Sequence, residues 1–385
     1  MSSITLYQHQ LDAYEHSLDH NKFVVLSSMG SGKTITLIEI AKSKKVPALF
    51  IVTKATKEKW VKSLKENDCD GVVYTKEEFK KELSSFSNIG GYKTICIDEM
   101  QFYGSHKSQL TKTLLKYISF YEPPYIIGAT ATLYTSTWQC LYSYNLIFGR
   151  KLNWLEMQRY FCEQVRMGAI FIWKQKTTQE VQDTIKKMIE DISHIRVVET
   201  GNSVWQDVQI PSVRARKDPE ETYHDYYKRE SRESSKVTKI ESIIKKAKTQ
   251  KGYVICCYYT DEINFLKERF NCPAISGSNP YQMEYQDIDK YPILILQIST
   301  SVGFELPHHH TMIFYSYCFS YISYTQACGR ISRLNNFKTN TYIRLINTYG
   351  GLSKTKSFDE GILANLELKS DFDPDKFYTQ VLETT

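Results

Sequence analysis

Ser27-Ser28-Met29-Gly30-Ser31-Gly32-Lys33-Thr34 brings together small residues, a lysine and a hydroxyl between an apolar run, Phe23 to Leu26, and an apolar stretch from Ile35 to Ala41. Strand, glycine-rich loop and helix in that order form a phosphate-binding arrangement. The glycines let backbone N–H groups turn inward around a polyphosphate, and the helix N-terminus adds partial positive charge where the anion sits. Lys33 is expected to reach the β- and γ-phosphates and the Thr34 hydroxyl to ligate Mg²⁺. Met29, Gly30, Ser31 and Gly32 supply the cradle. Ser27 stands where the general pattern has its first glycine. The rival reading, a plain Gly/Ser turn, leaves the Gly-Lys-Thr order unexplained.

A second feature, an acidic pair, follows. Thr94 to Ile97 runs into Asp98-Glu99-Met100-Gln101. At the tip of an apolar strand, Asp98 is expected to hold Mg²⁺, directly or through water, and Glu99 to polarise an attacking water. Thr130-Ala131-Thr132 ends the run Tyr125 to Ile127 with two hydroxyls that can bridge a nucleotide site to a neighbouring surface. Near the N-terminus, Gln10 offers an amide donor and acceptor for an adenine edge, with Gln8 as the alternative. In the second half, Ser299 to Leu306 places hydroxyls and Gly303 after a strand. Gln326-Ala327-Cys328-Gly329-Arg330-Ile331-Ser332-Arg333 carries two arginines at i and i+3. On a helix that spacing puts both guanidiniums on one face, where they could stabilise transition-state charge. Taken alone, Arg330 and Arg333 read more simply as a basic surface helix.

The elements that must carry these groups alternate. Ala48 to Val52, Val72 to Tyr74, Thr94 to Ile97 and Tyr125 to Ile127 are apolar runs of the kind buried parallel strands show. Their polar tips belong at the strand carboxyl ends, where α/β sheets bind ligands. The rhythm repeats: helix from Lys236 to Ala247, strand Tyr253 to Tyr258, helix Asp261 to Phe270, then strands at Pro292 to Gln297, Thr311 to Tyr315 and Tyr342 to Ile346. There is no second phosphate loop. Leu11 to Leu18 is helical, and Val181, Ile185, Met188, Ile189 and Ile192 mark an amphipathic helix over Thr178 to Ser193. Residues 194 to 222, with Gly201, Pro211 and Pro219, read as a connector. The fold class is therefore α/β with parallel sheets, in two halves placed at 1–196 and 197–385.

A chain of 385 residues, 42% hydrophobic and 24% charged, suits a globular protein of two or three domains. No apolar run reaches the ~20 residues of a membrane span, and Met1 to Gln10 lacks a secretory pattern, so an intracellular, soluble protein with no membrane partner is expected. Nine cysteines without a C-x-x-C pair read as reduced thiols. His308-His309-His310 reads as a loop rather than a metal site. The net charge of +6 accommodates a polyanion without demanding one. The 28 tyrosines, with frequent Ile, Lys and Ser, suggest an AT-rich, viral or phage genome.

Taken in order, Gln10, Met29 to Thr34, Asp98-Glu99, Thr130-Ala131-Thr132, Gly303 and Gln326 to Arg333 resemble the motif series of superfamily-two helicases, over roughly Leu6 to Leu368. The phosphate loop and Gln326 to Arg333 are most similar to the Swi/Snf-like branch of the DEAD/H-box ATPases, and Phe358-Asp359-Glu360-Gly361-Ile362 is similar to the segment that often follows. The resemblance implies two tandem RecA-like domains with an ATP cleft between them. It implies ATP and Mg²⁺ as cofactors, with Lys33, Thr34, Asp98 and Glu99 from the first domain and Arg330 and Arg333 as arginine fingers from the second. It also implies coupling through Thr130, Thr132 and Gln326, and nucleic-acid backbone contacts near Thr53, Thr75, Tyr259 and Thr300. Gln101 departs from the family's His after Asp-Glu-x, Glu305 from its Asn or Asp, and its arginine after the second-domain glycine loop is not evident between Gly277 and Tyr291. The expected function is an ATP-dependent motor on duplex or branched DNA, acting as a monomer and without sequence preference. The alternatives are a strand-separating or branch-migrating helicase and a non-motor nucleotide switch; a small-molecule kinase leaves the second half unexplained. No inserted wedge domain is visible, so poor separation of blunt duplexes is expected.

Overall fold

A computed structural model describes residues 5–84, 89–133, 138–167, 170–196, 202–213, 217–232, 234–246, 252–277, 291–300, 306, 308–332, 339–349, 356–368 and 372. The chain divides into two compact units, residues 1–199 and 200–385. Each is built on a six-stranded sheet whose described pairings are all parallel. The α/β class with two parallel sheets is as expected.

In the first unit α1 (Gln8–Asp19), β1 (Lys22–Ser27), α2 (Lys33–Ser43), β2 (Ala48–Val52), α3 (Lys57–Glu66), β3 (Gly71–Thr75), α4 (Lys76–Ser84), β4 (Thr94–Asp98), α5 (Gln109–Tyr121) and β5 (Tyr125–Thr130) follow one another. Then come α6 (Trp138–Ile147), α7 (Trp154–Phe161), the strands β6 (Cys162–Met167) and β7 (Ile170–Gln175), α8 (Gln179–Glu190) and β8 (Ser193–Arg196). The sheet order is β3-β2-β4-β5-β1-β8. Alternate residues of each strand feed opposite faces, which explains the continuous apolar runs. Val24, Leu49, Ile51, Ile95 and Ile97 pack with Leu114, Tyr117 and Leu141 on one face. Phe23, Val25, Phe50, Val52 and Cys96 pack with Leu37, Ile38, Trp60 and Leu64 on the other.

The second unit holds β9 (Ser203–Ser212), α9 (Tyr223–Glu230), α10 (Ser234–Lys246), β10 (Tyr253–Cys257), α11 (Thr260–Phe270), β11 (Ala274–Ile275), β12 (Ile293–Gln297), β13 (Thr311–Phe314), α12 (Tyr321–Cys328), β14 (Asn340–Tyr349) and α13 (Phe358–Glu367). Its sheet runs β11-β12-β10-β13-β14-β9. A buried polar knot ties its helices to the sheet. Lys236 on α10 meets Asp359 on α13 at 2.8 Å. Asp359 also accepts from the Tyr227 hydroxyl at 2.9 Å and the Asn347 N–H at 2.8 Å. With every oxygen occupied, this buried charge is tolerated; removing one partner would strand the other. The segment Phe358 to Ile362 is thus the anchored first turn of a packing helix, capped by Ser357, which accepts from the Glu360 N–H at 3.1 Å.

Three expectations need correction. Residues 194 to 222 are not a plain connector: they contain most of β8, which pairs with β1, and all of β9, which pairs with β14 along ten residues. Both are edge strands, and β9 is mostly exposed, so neither carries the apolar run of a buried strand. The amphipathic helix ends at Glu190, because Ser193 already belongs to β8. The helix α12 stops at Cys328, with Gly329 as its C-cap. Arg330 therefore stands beyond the helix end, and the shared-face argument for Arg330 and Arg333 does not hold.

Candidate functional site

Parallel pairing brings the polar strand tips of the first unit to one edge. Asp98 of β4 is in register with Ala129 of β5, and Thr130 of β5 with Leu26 of β1. The glycine loop after β1 and the acidic pair after β4 are therefore two strand spacings apart, about 10 Å. That distance suits a polyphosphate with a metal ion at its end.

The loop is shaped by its backbone. Gly30 and Gly32 take φ of 72° and 79°, left-handed values that favour glycine. A Cβ at Gly32 would also run into the amide nitrogen of Gln10. Ser27, at the usual first-glycine position, closes the loop with its hydroxyl 2.7 Å from that of Ser31. Lys33 opens α2 and donates to the carbonyls of Ser27 at 3.1 Å and Ser28 at 2.9 Å. Its ammonium thus lies within the loop that a phosphate would enter. Thr34 is half-buried one residue on.

Gln10 is 4% exposed and committed to the loop. Its amide donates to Gly32 O at 3.1 Å, and its oxygen accepts from the Tyr7 N–H at 2.9 Å. It props the loop here, while Gln8 pairs with Asp12 at 2.8 Å. His9, which sequence reasoning passed over, also reaches the loop, with its ring nitrogen 2.7 Å from Ser31 O. The helix begins at Gln8 rather than Leu11, and this places Gln10 on a turn facing the loop.

Burial and the neighbouring Glu99 push the Asp98 carboxyl up to about 6, while the Trp60 indole and the Lys33 charge oppose the rise. Trp60 Nε1 donates to Asp98 Oδ2 at 3.0 Å. The indole contact had no signal in sequence, since Trp60 looks like any core residue of an amphipathic helix. Glu99 sits at φ 55°, ψ 56°. A left-handed glutamate is strained, and such strain collects at functional sites.

From Glu99 a relay runs to the Thr130 segment. Gln101 Nε2 donates to Glu99 Oε2 at 2.6 Å, and Thr130 Oγ1 donates to Gln101 Oε1 at 2.6 Å. Thr130 Oγ1 in turn accepts from the Thr132 N–H at 3.0 Å. The Gln that departs from the family's His is thus the joint of this chain, its two amide ends matched to a carboxylate and a hydroxyl. The Thr132 hydroxyl is buried with no hydrogen-bond partner among the described residues.

The four residues expected near a nucleic-acid backbone each make a hydrogen bond within the fold. Thr53 and Thr75 are buried. Thr53 Oγ1 lies 3.0 Å from Thr56 Oγ1, and Thr75 Oγ1 accepts from the Glu78 N–H at 3.1 Å. Tyr259 is buried, its hydroxyl donating to His224 O at 3.2 Å. Thr300 is half-buried and donates to Gln297 O at 3.0 Å. These hydroxyls brace local turns and helix starts in both units. In the second unit Gln326 is buried on α12, and Arg330 Nε donates to its carbonyl at 3.0 Å. Gly303, Glu305 and Arg333 lie outside the described residues. None of the nine cysteines is in a disulfide, and His308 to His310 precede β13.

Residues 235–335 match the helicase conserved C-terminal domain family. The matched stretch runs from α10 past α12 and takes in Gln326 and Arg330, in agreement with the superfamily-two helicase reading of the motifs. No curated protein matches the chain. Among solved structures, the chain is similar to the Sulfolobus solfataricus SWI2/SNF2 ATPase core in complex with dsDNA, with 15% identity, a TM-score of 0.46, and coverage of 98% of this chain and 93% of that one. So distant a likeness transfers no role to any residue.

Proposed function

We propose that the protein is an ATP-dependent nucleic-acid motor that tracks along duplex DNA. One observation carries the reading: the Lys33 loop and the Asp98-Glu99 pair share one sheet edge, close enough for the Lys33 charge to act on Asp98, in a chain that also carries a helicase C-terminal domain. The residues fit Mg²⁺-ATP. The positive-φ glycines free N–H groups for phosphates, Lys33 already lies in the loop, and Asp98 beside Glu99 is a carboxylate pair that a divalent cation would relieve.

Lys33 and the loop amides would hold the phosphates, with Thr34 and Asp98 holding Mg²⁺. The nucleotide supplies a transferable phosphoryl group and the metal its charge neutralisation. Glu99, held by Gln101, would orient a water and take its proton. The Glu99–Gln101–Thr130–Thr132 chain gives the acidic pair a mechanical link to the end of β5. The resemblance adds Arg330 and Arg333 as transition-state cations. DNA contact would fall mainly on phosphates, with little base readout.

ATP turnover measured without nucleic acid and with single-stranded DNA, duplex DNA or RNA tests this directly. Strongest stimulation by duplex DNA is expected, together with displacement of a third strand from a triplex. Turnover indifferent to every nucleic acid would refute the motor and favour a nucleotide switch.

A further inference from the structure

Every second residue of a strand points to the same face of its sheet, so on β4 Asp98 follows Thr94 and Cys96. Cys96 packs beneath the helices α2 and α3, in one core with Leu37, Trp60 and Leu64. Asp98, the last residue of the strand, therefore belongs to the helix-covered face, and α3 decides what lies under it. Trp60 is 1% exposed, and its ring rests against Phe50 of β2 with centroids 5.4 Å apart. Packing of this kind holds the indole in one rotamer. Its one polar atom then meets Asp98 Oδ2 at 3.0 Å.

A buried indole N–H needs an acceptor, and a backbone carbonyl would serve. Here it takes a carboxylate that burial and Glu99 already make costly to ionise. An indole N–H can only donate, whereas a hydroxyl or a side-chain amide in its place could also accept. It therefore favours the ionised carboxylate alone. The other oxygen, Asp98 Oδ1, accepts from the Glu99 N–H at 3.1 Å. A donor on each oxygen sets the plane of the carboxylate and leaves a lone pair of each for a cation. Carboxylates that ligate metals are held by such outer hydrogen bonds, and losing one typically costs about 10–100-fold in metal affinity.

We infer that Trp60 is a positioning residue for the cation that accompanies the nucleotide: its indole N–H fixes the ionised Asp98 carboxylate in the orientation that takes Mg²⁺. The inference rests on the Mg²⁺-ATP reading above. It makes the buried face of α3 a determinant of metal affinity, although Trp60 itself would touch neither nucleotide nor metal.

The test uses the full chain with Trp60→Phe, which keeps an aromatic ring, and Trp60→benzothienylalanine, which keeps the shape and puts sulfur in place of the N–H. Trp138→Phe controls for loss of core volume, at a buried indole that donates to Cys162 Sγ instead. Affinity for a fluorescent, non-hydrolysable ATP analogue is titrated in EDTA and over a range of Mg²⁺, with thermal melting alongside. Both Trp60 variants should bind the analogue in EDTA within about twofold of wild type, yet need about tenfold more Mg²⁺ for half-maximal tightening. Trp138→Phe should need no more Mg²⁺ than wild type. In an Asp98→Asn background, Trp60→Phe should change the Mg²⁺ requirement no further, because both substitutions act through one carboxylate. Three results each reduce Trp60 to core packing: a wild-type Mg²⁺ requirement in the benzothienyl variant, parallel loss of binding in EDTA and in Mg²⁺, or an equal effect of Trp60→Phe with and without the Asp98 carboxylate. Wild-type affinity that ignores Mg²⁺ would overturn the Mg²⁺-ATP reading itself, and the role of Trp60 with it.

Discussion

Asp98→Asn should make the nucleotide-free protein more stable while abolishing its chemistry. The carboxyl is pushed from 3.8 to about 6 by burial and by Glu99. At ~1.36 kcal/mol per unit, its ionised form costs the first unit up to about 3 kcal/mol at neutral pH. Sharing with Glu99 and partial exposure bring the expected gain to about 1–3 kcal/mol. The asparagine oxygen can still accept from Trp60 Nε1, so no donor is stranded. A unit of this size gains roughly 2–4 °C in Tm per kcal/mol. The sign with pH follows from linkage. A raised carboxyl pKa favours the folded state below the unfolded value and loses that benefit as pH rises through about 6. The advantage of the variant should therefore be full at pH 7.5 and close as pH falls from 6 to 4. Mg²⁺-ATP should stabilise the wild type more than the variant, because the cation relieves the same repulsion. Calorimetry at pH 7.5 and 4.5, with and without Mg²⁺-ATP, decides. An unchanged or lower Tm for Asp98→Asn at pH 7.5 would show that the carboxylate is not strained by its site.

Lys33→Ala should abolish ATP hydrolysis, and turnover within about twofold of wild type would remove the phosphate loop from the chemistry. Glu99→Gln should bind ATP with near-normal affinity in equilibrium titration yet turn over at least a hundredfold more slowly; equal losses of both would make Glu99 structural. Thr130→Val takes the donor from Gln101 Oε1, so DNA stimulation should fall several-fold while basal ATPase stays within threefold. Arg330→Ala should lower kcat by a hundredfold or more with duplex affinity little changed; loss of duplex binding with intact ATPase would assign Arg330 to the DNA surface.

The amino-acid order alone determined the glycine loop between β1 and α2, the acidic pair at the end of β4 and the parallel-sheet class. Each rests on local rules: glycines where φ turns positive, a lysine at a helix start, and unbroken apolar runs where a strand is covered on both faces. It did not reveal the edge strands β8 and β9, whose exposed faces need no apolar residues, nor the end of α12 before Arg330. Sequence offers the Gln10 amide to an adenine edge, and only tertiary packing reveals its bonds to Gly32 and Tyr7. Trp60 acquires its partner only when α3 is laid across β4, and Gln101 joins Glu99 to Thr130 only because β4 and β5 pair in register. The antiparallel β6–β7 pair escaped notice because its strands are short and its apolar residues crowd one strand instead of alternating. These features depend on contacts between residues far apart in the chain, and no local pattern of residue types encodes which distant partner a side chain will meet.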